Sequence, residues 1–125
     1  MEKLEVHPDI PVAQWSDWHA WSSLCIRKGD EGCAPVPDVP GVYEVRRKGQ
    51  PDRIDIGMTE DSLNSRLRRA LVKGTHSAGK RFRDSQDLSV LEVRWCPTRK
   101  AREVEAYLKG KHVAEFGRLP TYTRQ

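Results

Sequence analysis

The chain has only three cysteines, Cys25, Cys33 and Cys96, with no CxxC pair among them. An odd, scattered set excludes a disulfide framework and a zinc knuckle and points to a reducing compartment. Long apolar runs are also missing, so no segment reads as a membrane span. The charged start, Met1-Glu2-Lys3-Leu4-Glu5, lacks the apolar stretch of a secretory signal, and the expected location is cytoplasmic. Internal repeats, low-complexity segments and zinc-finger spacings are absent, which leaves no recognisable sequence-reading DNA module.

One more absence is local. Between Asp61 and Asp84 there is no acid, while Arg66, Arg68, Arg69, Lys73, Lys80, Arg81 and Arg83 all fall there. The net charge is −4 over residues 1–40 and +8 over the rest. A one-signed stretch of this kind suits a polyanion, most simply nucleic acid. A solvated basic face is the other reading of the same residues.

What is present is enough for one globular domain. At 125 residues and 37% apolar content the chain buries a core without staples. Residues 1–10 show no period and read as an irregular arm. Residues 12–25 have helical spacing, with Trp15, Trp18, Trp21 and Cys25 three to four apart. Such a helix either docks on the core or offers Trp15, Trp18 and Trp21 to a protein partner. Residues 29–40, rich in Pro, Gly and acid, read as a linker.

A strand is expected over 41–47, a turn over 48–52 and a second strand over 53–58, together a hairpin. By alternation Tyr43 and Val45 share one face of the first strand, while Asp55 and Gly57 lie opposite Ile54 and Ile56 on the second. Thr59 reads as the N-cap of a helix running to about residue 72, with Leu63, Leu67, Ala70 and Leu71 as its apolar stripe. At about 100° per residue Arg66 borders that stripe, and Arg68 and Arg69 point outward as surface bases. Gly74 ends the helix, and residues 77–84 read as another short one. Residues 88–95 alternate as a third strand, with Leu91, Val93 and Trp95 on one face. A last helix is expected over 99–116, capped by Gly117.

That last helix carries an anomaly. Projected at about 100° per residue, Ala101, Val104, Leu108 and His112 form a stripe with Glu105 in its middle, and Glu103 lies nearly opposite. An acid in an apolar stripe has to be paired, protonated or bound to a cation. A salt bridge to an arginine such as Arg66 and a metal ligand are both open.

Gly41-Val42-Tyr43, then Asp55-Ile56-Gly57, then Arg66-Leu67, then Ala101 to Glu105 to Leu108 resemble, in order and spacing, the GIY-YIG endonuclease family. Lys73-Gly74-Thr75-His76-Ser77 is similar to a segment of the family's phage homing endonucleases. The resemblance spans residues 39–122. Two positions depart from the pattern: Asp55 stands where the family has a tyrosine, and Thr123 where it has a C-terminal asparagine.

The fold the resemblance implies is α+β, a small three-stranded antiparallel sheet flanked by helices, over residues 39–125. The arm, tryptophan helix and linker of residues 1–38 would pack on it. The implied activity is metal-dependent hydrolysis of phosphodiester bonds, with DNA the expected substrate. Tyr43, Asp55, Arg66, His76 and Glu105 would be catalytic, with Glu105 holding Mg2+ or Mn2+. Tyr43 would help deprotonate water, its pKa lowered by the cation and Arg66. Arg69, Lys73, Lys80, Arg81 and Arg83 would track the nucleic-acid backbone. Asp55 would join the metal, take a proton from water or form a salt bridge to Arg66 or Arg53. A non-catalytic nucleic-acid-binding module on the same fold, and a nuclease toxin held by an inhibitory partner, are the alternatives.

Overall fold

The tryptophan-rich segment is extended rather than helical. The computed structural model describes residues 2–6, 9–74, 80–81, 83–84 and 86–123. Strands β1 (Lys3–Leu4) and β2 (Ala13–Gln14) form a small antiparallel sheet, and β3 (His19–Ala20) joins the main one. Only α1 (Trp21–Leu24) is helical here. Tertiary partners override the local spacing. The Ser16 N–H donates to Trp95 O at 2.8 Å, and the Ser16 hydroxyl accepts from the Trp95 N–H at 3.0 Å. Trp15 meets the Arg94 guanidinium at 4.0 Å, Trp18 meets Arg46 at 3.9 Å, and His19 stacks on Trp95 at 4.8 Å. A ring–guanidinium contact contributes about 0.5–2 kcal/mol. Trp15 and Trp21 are each 3% exposed and Trp18 is half-buried, so the chain's own core covers the rings expected to await a partner.

The hairpin forms as its alternation predicts. In β4 (Gly41–Arg47) and β5 (Asp55–Thr59) the register sets Tyr43 opposite Gly57 and Val45 opposite Asp55. After β5 the helix is capped one turn later than expected: the Ser62 hydroxyl accepts the Ser65 N–H at 3.1 Å, while Thr59 is still strand. Helix α2 starts at Leu63–Ser65 and widens into a π turn over Arg66–Leu71, where the Val72 N–H reaches Leu67 O at 3.1 Å. The linker of residues 29–40 is pinned to this helix start. Val39 O accepts from the Leu63 N–H at 2.9 Å and Pro37 O from the Asn64 N–H at 3.0 Å, filling orphan donors of the first turn.

A 3-10 turn at Leu88–Val90 precedes β6 (Leu91–Pro97), whose register sets Trp95 opposite Tyr43. The last helix, α3, spans Ala101–Phe116, and Gly117 caps it in the left-handed region at φ 74°. The main sheet is antiparallel in the order β3-β6-β4-β5, so the three expected strands gain a fourth from the N-terminal segment.

Two cores follow from the two faces. On one, Tyr43, Val45, Val93 and Trp95 pack against Leu63, Leu67 and Leu71 of α2 and against Trp21, Leu24, Ala34 and Val36. Residues ahead of 39 therefore belong to the same sheet and core. On the other face, Val42, Ile56 and Cys96 pack under Ala101, Val104 and Leu108 of α3, with Leu4 and Trp15. The rest of that second face is charged and internally paired. The buried Glu44 carboxylate accepts from Arg53 Nε at 3.0 Å and Arg94 Nε at 2.8 Å, and Arg46 pairs with Glu92 at 2.6 Å. The C-terminal tail closes the free edge of β5, where the Tyr122 N–H donates to Ile54 O at 2.9 Å. Among the described residues, no helix is long and apolar enough to cross a membrane.

Candidate active site

Both glycines flanking Tyr43 have a packing reason. A Cβ on Gly57 would stand 2.3 Å from the Tyr43 phenol oxygen and 2.4 Å from Cζ. Only a glycine there lets the Tyr43 ring lie across β5. A Cβ on Gly41 would stand 2.5 Å from Cys96 O and 2.6 Å from Leu63 Cδ1, so that glycine admits both β6 and α2. Tyr43 is held 1% exposed as a result.

Asp55 lies on the Tyr43 face, as its alternation predicts, and is 2% exposed. The tail supplies its partner. The Thr123 hydroxyl donates to Asp55 Oδ1 at 2.9 Å while accepting the Ile56 N–H at 2.8 Å. The other carboxylate oxygen, Oδ2, is buried with no hydrogen-bond partner. Burial pushes the Asp55 carboxyl up to about 7, and the nearby Glu105 charge adds to the rise. Hydrogen bonds from Thr123 and the Ile56 backbone, and then the Lys109 charge, oppose it.

Arg66 enters from the first residue of the π turn and is half-buried. It lies close enough to the Tyr43 phenol to favour ionisation by charge and by hydrogen bonding. Burial and the charges of Asp55 and Glu105 outweigh it, and the phenol's pKa sits well above its usual value. Tyr43 is therefore a neutral phenol in this structure, contrary to the lowered pKa the resemblance implies. Glu105 stands on the flank of the α3 stripe rather than in its middle. It pairs with Lys109 Nζ at 3.2 Å, not with Arg66, and both side chains are 20% exposed.

Tyr43, Asp55, Arg66 and Glu105, drawn from two strands and two helices, thus share one electrostatic neighbourhood. No group of three His, Cys, Asp or Glu residues suited to a metal occurs among the described residues. Magnesium does not need one, because it keeps much of its water and binds through one or two carboxylates. Glu105 together with the partnerless Asp55 Oδ2 fits that demand. Neither cysteine pairing nor thiolate chemistry enters: Cys96 is buried under α3, and burial pushes its thiol up to about 11.

The remaining expected residues divide. His76 lies outside the described residues. Arg69, Lys73, Lys80 and Arg81 are exposed, and Arg81 leans on the Tyr122 ring at 5.8 Å. Arg83 is not a free surface base. Its guanidinium donates to Val72 O at 2.5 Å and Gly74 O at 2.7 Å, satisfying carbonyls at the end of α2. Arg68 is likewise structural, donating to Ile26 O at 2.6 Å. Arg53 pairs with Glu44 rather than with Asp55. Sequence reasoning missed two members of the neighbourhood. Lys109 was legible from its four-residue spacing to Glu105, whereas nothing local marks the Thr123 hydroxyl as a partner of Asp55. No protein-family model, curated protein or solved structure matches this chain.

Proposed function

We propose that the chain is a metal-dependent endonuclease of the GIY-YIG type, hydrolysing phosphodiester bonds in nucleic acid, with DNA the expected substrate. The observation that carries the reading is the gathering of Tyr43, Asp55, Arg66 and Glu105 around a phenol that only Gly57 accommodates. Glu105 would hold Mg2+ or Mn2+, which supplies positive charge to polarise water and screen the phosphate. Asp55 suits the role of base, since a carboxyl titrating near neutrality is matched to taking a proton from water. Tyr43, as a neutral phenol, orients water or a phosphate oxygen by donating its O–H. Arg66 offsets charge building on the phosphate. The exposed cations Arg69, Lys73, Lys80 and Arg81 would follow the backbone and make binding salt-sensitive.

Plasmid nicking with magnesium tests this. Glu105→Ala should abolish cleavage while Glu103→Ala, on an exposed position of the same helix, leaves it intact. Arg66→Ala should cost about 10²–10³ in rate. Undiminished cleavage by Glu105→Ala would overturn the assignment. A second reading, a non-catalytic nucleic-acid-binding module, is favoured by the burial of Tyr43 and Asp55. Salt-sensitive binding by a wild type that cuts nothing under magnesium or manganese would select it.

A further inference from the structure

The ammonium of Lys109 stands beside the carboxylates that would hold the metal. Lys109 Nζ is 3.2 Å from Glu105 Oε1, with both side chains mostly withdrawn from water. Its charge is also felt at Asp55, as is that of Glu105. Asp55 contributes the second observation: its Oδ2 is buried and unpartnered, a polar atom left for a ligand. An i,i+4 pair on a wet helix face is worth only about 0.3–0.5 kcal/mol and would mean little. This pair differs because a second, buried carboxylate shares the same cation.

We propose that Lys109 is an internal competitor for the metal: its ammonium neutralises the Glu105–Asp55 pair in the metal-free protein, and a divalent ion binds only by displacing it. The proposal rests on the nuclease reading for the metal site but concerns a residue that reading does not use. The physical demand is charge neutrality. Two carboxylates brought together out of water need a cation, and a tethered ammonium supplies one charge until a divalent ion supplies two. Once displaced, the ammonium stays tethered within reach of an incoming phosphate. Lys109 is then a positioning residue that sets how much metal the site requires.

The test is Mn2+ binding to the full chain, read by the electron paramagnetic resonance of free Mn2+, with no nucleic acid present. Lys109→Met keeps the apolar stem and removes the charge. It should tighten Mn2+ binding by about tenfold, since a unit cation a few ångströms from a divalent ion opposes it strongly even when partly screened. Lys111→Met makes the same change of net charge on an exposed position of the same helix and should leave affinity unchanged. Glu105→Gln should abolish binding in either background. Equal or weaker Mn2+ binding by Lys109→Met would overturn the proposal and reduce the contact to an ordinary helical ion pair. If that happens while cleavage still depends on Glu105, the competitor fails and the nuclease reading stands. If neither wild type nor Lys109→Met binds Mn2+, the competitor falls together with the metal site.

Discussion

Replacing Asp55 by asparagine should change how stability depends on pH. The folded carboxyl titrates at about 7 against an ordinary value of 3.8. Below about pH 4 it is protonated in both folded and unfolded chains, and its contribution to stability is fully present. Between about pH 4 and pH 7 the unfolded chain releases a proton that the folded chain keeps. Stability then falls by up to about 1.4 kcal/mol per pH unit. Above the folded pKa the loss is complete, at most about 4 kcal/mol over the three-unit gap. Asp55→Asn cannot titrate, yet its side-chain oxygen still accepts the Thr123 hydroxyl bonded to Oδ1 in the wild type. Other groups titrate equally in both proteins, so the informative quantity is the difference between them. Urea denaturation of both, with chelator, from pH 4.5 to 8.5 measures it. The variant should gain on wild type steadily up to about pH 7 and hold its advantage above it. Parallel stability curves would refute the reasoning and mean that Asp55 is solvated or paired in solution.

Gly57→Ala should destabilise the fold by about 1–3 kcal/mol through overpacking against the Tyr43 ring. Combining it with Tyr43→Leu should recover part of that loss in a double-mutant cycle, and strict additivity would mean the ring does not lie on the glycine. Arg68→Ala should cost about 1–2 kcal/mol by chemical denaturation, because the Ile26 carbonyl loses its charged donor, whereas Arg69→Ala should stay within about 0.5 kcal/mol.

The sequence alone determined whatever depends on neighbours a few residues apart. Alternation set Tyr43, Val45, Asp55 and Gly57 on one face, and pairing Tyr43 with Gly57 needed only a hairpin of the expected length. The four-residue spacing of Leu63, Leu67 and Leu71 fixed the buried side of α2, and Arg66 borders it as projected. Gly117 ended α3 where expected. Tertiary structure decided the rest, since those outcomes turn on contacts that local propensity does not encode. Residues 12–25 carry helical spacing, yet β6 offered an open edge whose backbone groups needed partners, and Arg94 and Arg46 offered guanidinium faces for the rings. Arg68 and Arg83 look like surface cations until distant carbonyls come within reach. The carboxyl of Asp55 became a group titrating near neutrality only because folding removed its water and brought Glu105, Lys109 and Thr123 to it from far along the chain. Desolvation and long-range charge are properties of the packed molecule, and no window of sequence contains them.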